Sequence, residues 1–166
     1  MFIHRIEHQF DSPLTSDQTL AQIKSRLADG MFDSESEFLG FADVNRFKIE
    51  KNPRYNIPAF VRVRNSWSPI VTGAVENNGS GSRINVAFRP AIPTCVLDFL
   101  FQLIGTIEAI AFAILGLMNG SWETAAAALF GVLFVLVIEL MVFFFFKLPA
   151  FGLIDRLEEI FSGQEP

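Results

Sequence analysis

One cysteine, one tyrosine and two histidines in 166 residues close off several kinds of chemistry at once. Cys95 alone builds neither an intrachain disulfide nor a cysteine-based metal cluster. Charge is scarce as well, at 19% of residues, and residues 94–146 contain no Lys or Arg. Nucleic-acid binding needs a concentrated basic face. The chain has none, so nucleic acid is not an expected partner. Gly79-Ser80-Gly81 does not open a helix, which excludes a phosphate loop there. No serine falls into a pattern with a base and an orienting group, so no hydrolase triad, catalytic residue or cofactor site is expected.

Apolar residues are abundant instead. They make up 51% of the chain, including 19 Phe. A disordered tail cannot have this composition, and a single small core does not need so much of it. The excess falls into two runs, over residues 94–118 and 125–146. Each has about the 20 residues that a helix rising 1.5 Å per residue needs to cross a ~30 Å hydrocarbon layer. Pro93 and Pro149 mark their outer ends. Between the runs, Gly120 suits a left-handed helix stop, Ser121 an N-cap, and Trp122 an interfacial anchor. Phe143-Phe144-Phe145-Phe146 leaves no polar face, unlike a helix on the surface of a soluble core. Arg83 and Arg89 precede the first run, Lys147 and Arg156 follow the second, and the turn has no base. That asymmetry predicts both termini on the cytoplasmic side of a cell inner (plasma) membrane. The start MFIHRIEHQF is too polar for a secretory signal, which agrees.

Residues 1–92 predict a separate cytoplasmic α+β domain. Residues 2–10 alternate with strand period. Thr15 and Gln18 have the spacing of a capping box opening a helix that Gly30 ends. From residue 38 the period returns to two, with strands expected over 38–43, 47–50, 59–64, 70–76 and 83–89. The turn at Val44-Asn45-Arg46 and the Gly-rich loop at 77–82 join them. An antiparallel meander with a helix over one face fits this order. His4 and His8 share one strand face, but no third metal ligand accompanies them. The acidic loop 33–37 lacks calcium-loop spacing.

Arg64-Asn65-Ser66-Trp67-Ser68-Pro69 is the most distinctive local segment and reads as a structural corner or an interaction motif. With Phe47 and Ile49, Gly73, the glycines at 79–81 and Arg83–Arg89 entering a helical hairpin, the chain resembles a family of small bacterial two-helix membrane proteins. That family has a β-rich cytoplasmic domain carrying an Arg-Asn-Ser-x-x-Pro motif, here Arg64, Asn65, Ser66 and Pro69. The resemblance covers about residues 38–166, with Trp67-Ser68 where the family has Phe-Leu. It implies an architecture and carries over no activity.

Four polar residues stand out inside the apolar runs: Asp98, Gln102, Glu108 and Glu139. An ionised carboxylate in hydrocarbon costs at least ~2.5 kcal/mol, so each calls for an explanation. Folding the hairpin about residues 120–121 sets Glu139 opposite Gln102 and one turn from Asp98. Glu139 as the neutral acid bonded to Gln102 would be helix glue; the alternative is proton or cation handling by Glu108 and Glu139 in an oligomer. Asp98, Gln102, Gly105, Ala109, Ala113 and Gly116 form one helix stripe, and Ala125, Ala128, Val132 and Glu139 a second, suited to close packing. Glu108 lies off the first stripe, toward another subunit or lipid. After Pro149, Phe151, Ile154, Leu157, Ile160 and Phe161 form the apolar face of a terminal helix, expected to pack on the domain.

These readings predict an α+β chain in three parts. Residues 1–92 form the sheet domain, 93–147 the transmembrane hairpin, and 148–166 a cytoplasmic amphipathic helix and tail. The expected function is a non-enzymatic, membrane-anchored interaction or accessory module. Alternatives are binding of a lipid or apolar ligand between sheet and helix, and the proton- or cation-handling element above. Expected partners are the lipid bilayer and either copies of this chain or another membrane protein.

Overall fold

Alternation of apolar and polar residues builds one five-stranded antiparallel sheet in the computed structural model, which describes residues 4–29, 33, 35–55 and 66–163. The strands are β1 (Ile6–Ser12), β2 (Phe38–Ala42), β3 (Arg46–Lys51), β4 (Ile70–Asn78) and β5 (Gly81–Arg89), in the order β1-β5-β4-β3-β2. Strands β2 to β5 form the expected meander, and β1 adds beside β5, with Phe10 opposite Ile84. The β4–β5 hairpin is tighter than the expected six-residue loop: Asn78 already pairs with Gly81, and Gly79 takes φ +63°. The strand expected over 59–64 lies outside the described residues.

Helix α1 (Ser16–Lys24) opens on the capping box. The Gln18 amide donates to Thr15 Oγ1 at 3.4 Å, and the Thr15 amide donates to Gln18 Oε1 at 3.0 Å. It stops at Ser25, short of Gly30, because the backbone beyond finds other partners. The Phe38 amide donates to the Arg26 carbonyl at 3.1 Å, and the Ala28 amide to the Phe38 carbonyl at 2.9 Å. Those extended bonds satisfy the groups a further helical turn would have used.

Two long helices follow. Helix α2 (Ile92–Asn119) carries Pro93 in its first turn, where the missing amide costs nothing, and ends on Gly120 at φ +62°. Helix α3 (Trp122–Val142) begins after Ser121, whose side chain makes no capping bond. Pro149 does not end the second run, contrary to the sequence expectation. Helix α3 passes through a π-helical turn (Phe143–Lys147) into α4 (Leu148–Phe161), one helical path of 40 residues. Within a regular α-helix, proline lacks its donor and its ring strikes the carbonyl four residues back. The wider π turn just before Pro149 opens that space.

This continuity ties the hairpin to the sheet. One sheet face presents Phe10, Phe47, Ile49, Val71, Val75, Ile84, Val86 and Phe88 to the core. Leu20 and Ile23 of α1 cover part of it. Helix α4 packs against the domain, with Ala150, Leu153, Leu157, Ile160 and Phe161 buried in that same core. The buried face is rotated from the sequence reading: Leu153 turns in and Phe151 stays exposed, because α4 inherits its phase from α3. The Ser12 hydroxyl donates to the Phe161 carbonyl, one of the unpaired groups at the helix end. Arg156 makes a forked pair with Glu37, Nε donating to Oε1 at 2.9 Å and Nη2 to Oε2 at 3.1 Å. The hydrogen bonds to Glu37 and Glu159 hold the Arg156 guanidinium still more firmly protonated than usual.

Candidate functional site

The polar residues of the apolar runs converge where the hairpin meets the sheet domain. Asp98 occupies the second turn of α2 and is 1% exposed. A charge buried so deeply requires partners, and it has two. His4, just before β1, brings Nε2 to 2.8 Å from Asp98 Oδ2. One helical turn along, Gln102 Nε2 donates to both Asp98 oxygens at 3.3 Å. The same amide nitrogen donates to Glu139 Oε1 of α3 at 2.9 Å. The structure thus joins Asp98, Gln102 and Glu139, with His4 as a fourth member. Phe146 stands beside this chain, its ring centroid 6.4 Å from that of His4.

Glu108 is not part of the chain. It lies six residues beyond Gln102, exposed on the flank of α2. The two helices cross most closely one turn past Gln102. A Cβ built on Gly131 would lie 2.9 Å from both the Ala109 nitrogen and the Gly105 carbonyl oxygen. A Cβ on Gly105 would meet Phe134 and Val135 at 2.9 Å. This crossing fixes the rotation of both helices and corrects the stripes. Phe112 is half-buried where Ala113 was expected, and Ala113 is exposed. On α3 the contact runs through Gly131 and Ile138, while Val132 is exposed. The side chain of Ala125 lies outside what is described.

The remaining candidates lie away from this chain of hydrogen bonds. Arg64 and Asn65 fall outside the described residues. Ser66 accepts a hydrogen bond at its carbonyl from the Thr94 hydroxyl, 2.8 Å, and Pro69 is buried, so the corner's second half braces the start of α2. His8 is exposed and packs against Phe10, the rings tilted by 57° with centroids 4.5 Å apart. The histidines therefore serve different neighbours. Among the described residues no three metal-ligating side chains are grouped to hold an ion. Asp33 closes its own loop: it accepts from the Ser36 hydroxyl at 2.6 Å and from the Glu35 amide at 2.8 Å. Those bonds, the Ser36 hydroxyl first, hold its carboxyl below the usual carboxylate range.

Leu20 and Ile23 of α1 share one core with the sheet and with the α4 side chains, at the place where the sequence suggested a ligand groove. A cavity of about 670 Å³ lies on the opposite, open sheet face. Thr72, Ala74 and Ala87 of the central strands form its floor, with Arg46, Lys48 and Phe41 on one side and Glu7 and Gln9 on the other. The sequence reading missed this trough. Its signal was the short side chains at outward positions of β4 and β5, between long ones on the neighbouring strands. It missed the His4–Asp98 contact too. With no base inside either apolar run, a buried acid there had to draw any basic partner from outside.

The architecture defines the class. This is an α+β protein with a five-stranded antiparallel sheet, a short covering helix, and two helical segments long and apolar enough to cross a membrane. Compared with protein-family models, curated proteins and solved structures, the chain matches none.

Proposed function

We propose that this chain is a two-pass protein of the bacterial inner membrane. Its hairpin holds the α+β domain on the cytoplasmic side, where it acts as a non-enzymatic interaction or accessory module. Membership in the small two-helix family that the Arg64–Pro69 motif resembles is part of the same reading. The observation that carries it is the exposure of the hairpin. In the most apolar stretches of the two helical paths only 17% and 22% of residues are buried. A core helix of a soluble protein buries most of such a stretch. Soluble monomers expose apolar patches of at most roughly a few hundred Å². Here Leu103, Ile107, Ile114, Leu133, Leu136 and Leu140 all face outward. Bilayer is the solvent that suits this surface.

Two further features support the module role. The buried polar groups of the junction are spent on one another rather than presented to a substrate. The unbroken path from α3 into the core makes the sheet domain a fixed extension of the hairpin, as an anchored docking platform requires. The bases flanking the hairpin, and their lack in its turn, support the cytoplasmic orientation.

Cysteine labelling in spheroplasts tests this. In a Cys95→Ser background, Ser121→Cys reacts with an impermeant maleimide from outside, and Ser80→Cys, at the exposed β4–β5 turn, reacts only after lysis. The reverse pattern defeats the orientation, and release of the protein by a carbonate wash defeats the membrane reading.

A further inference from the structure

One polar group on the hairpin is left over. Glu108 is exposed, about 15 Å along α2 from Asp98 and about 16 Å from Asn119. It therefore stands near the middle of the apolar stretch, with Phe101, Ile104 and Leu115 exposed around it on the same helix flank. Among the described residues it has no hydrogen-bond or ion-pair partner. Asp98, Gln102 and Glu139 are satisfied by each other and by His4, and neither apolar run contains a base. No described residue of this chain reaches Glu108.

A carboxyl group in hydrocarbon needs a partner that both donates and accepts, because lipid tails do neither. The partner must also lie at the same depth. We infer that the partner is Glu108 of a second copy, so that the chain pairs through the Glu108 flank of α2. Copies inserted with one topology are related by an axis along the membrane normal. Such an axis brings each residue to its own counterpart at equal depth, and the contact is self-complementary. Two carboxyl groups meeting there donate to and accept from one another, and both are satisfied. Ala111, one turn further along and exposed, leaves room beside Glu108 for the second helix. This inference rests on the membrane reading above.

The test uses the full chain in liposomes of neutral phospholipid. Copies carrying Ser80→Cys in the Cys95→Ser background are labelled with donor or acceptor dyes, and energy transfer is followed as lipid dilutes the protein. Wild type transfers energy. Glu108→Gln, which still donates and accepts, keeps its association within about threefold, while Glu108→Leu loses about tenfold or more. Oxidative crosslinking provides a second readout. Glu108→Cys gives a covalent dimer, and Thr106→Cys, exposed about 200° around the same helix, does not. Absence of transfer in wild type, an unchanged Glu108→Leu, or crosslinking at 106 and not at 108 overturns the inference. Carbonate extraction of wild type from the same vesicles separates these outcomes from failure of the membrane reading. A wild type that stays in the bilayer without associating defeats only the pairing, and one that washes off defeats both.

Discussion

His4 Nε2 lies 2.8 Å from Asp98 Oδ2, joining the start of the first strand to the second turn of the first long helix across 94 residues of sequence. The carboxylate is 1% exposed and the histidine side chain 9%. With the carboxylate as acceptor, Nε2 carries the shared proton. The pair is a hinge-pin between sheet and hairpin, and the two parts are expected to unfold together.

His4→Ala leaves Asp98 Oδ2 without that donor in a site water does not reach. The expected cost is about 1–3 kcal/mol, a drop of several degrees in the thermal midpoint at this chain length. The double variant His4→Ala/Asp98→Ala should lose less than the sum of the two single losses. Circular dichroism melts of the detergent-solubilised protein check this, and additive losses would show that the pair is not coupled.

Glu139 accepts from Gln102 at 2.9 Å. Glu139→Gln keeps an acceptor for that amide and is expected to be nearly silent. Glu139→Leu removes it and weakens helix association by about 0.6–2 kcal/mol. If the residue moves protons or cations instead, glutamine abolishes flux into reconstituted vesicles as fully as leucine does. Parallel melts and flux assays on the three proteins decide between the roles.

Two glycines should respond in opposite directions. Gly131→Leu forces the α2–α3 crossing apart, since even its Cβ would press on backbone atoms at 2.9 Å. The expected loss is about 1–3 kcal/mol. Gly152, inside α4, has nothing within 4 Å of a built Cβ. Gly152→Ala should stabilise by about 0.5–1 kcal/mol through helix propensity and a less entropic unfolded chain. Melting of both variants reads the contrast directly.

Much of the fold was legible residue by residue. The capping box of Thr15 and Gln18, the alternation in 70–89 and the stop at Gly120 are local signals, and local backbone chemistry enforces them. Depth matching along two antiparallel helices was legible too, because a fixed rise per residue makes it arithmetic. Sequence position alone therefore sets Gln102 and Glu139 opposite each other.

What the sequence could not decide was rotation and long-range choice. Helix α1 stops early because Arg26 and Ala28 find Phe38, a partner that only folding supplies. Pro149 reads locally as a break, yet the π turn beside it lets one helix run on into the sheet core. The close approach of Gly105 and Gly131 then turns Ala113 and Val132 outward, against the expected stripes. Periodicity alone determined which segments are helical, apolar and of membrane-crossing length. Tertiary packing decided which faces meet, because contact between helices is set by the narrowest point of approach. It decided likewise that His4 serves Asp98, since a buried charge takes whichever partner the fold brings within reach.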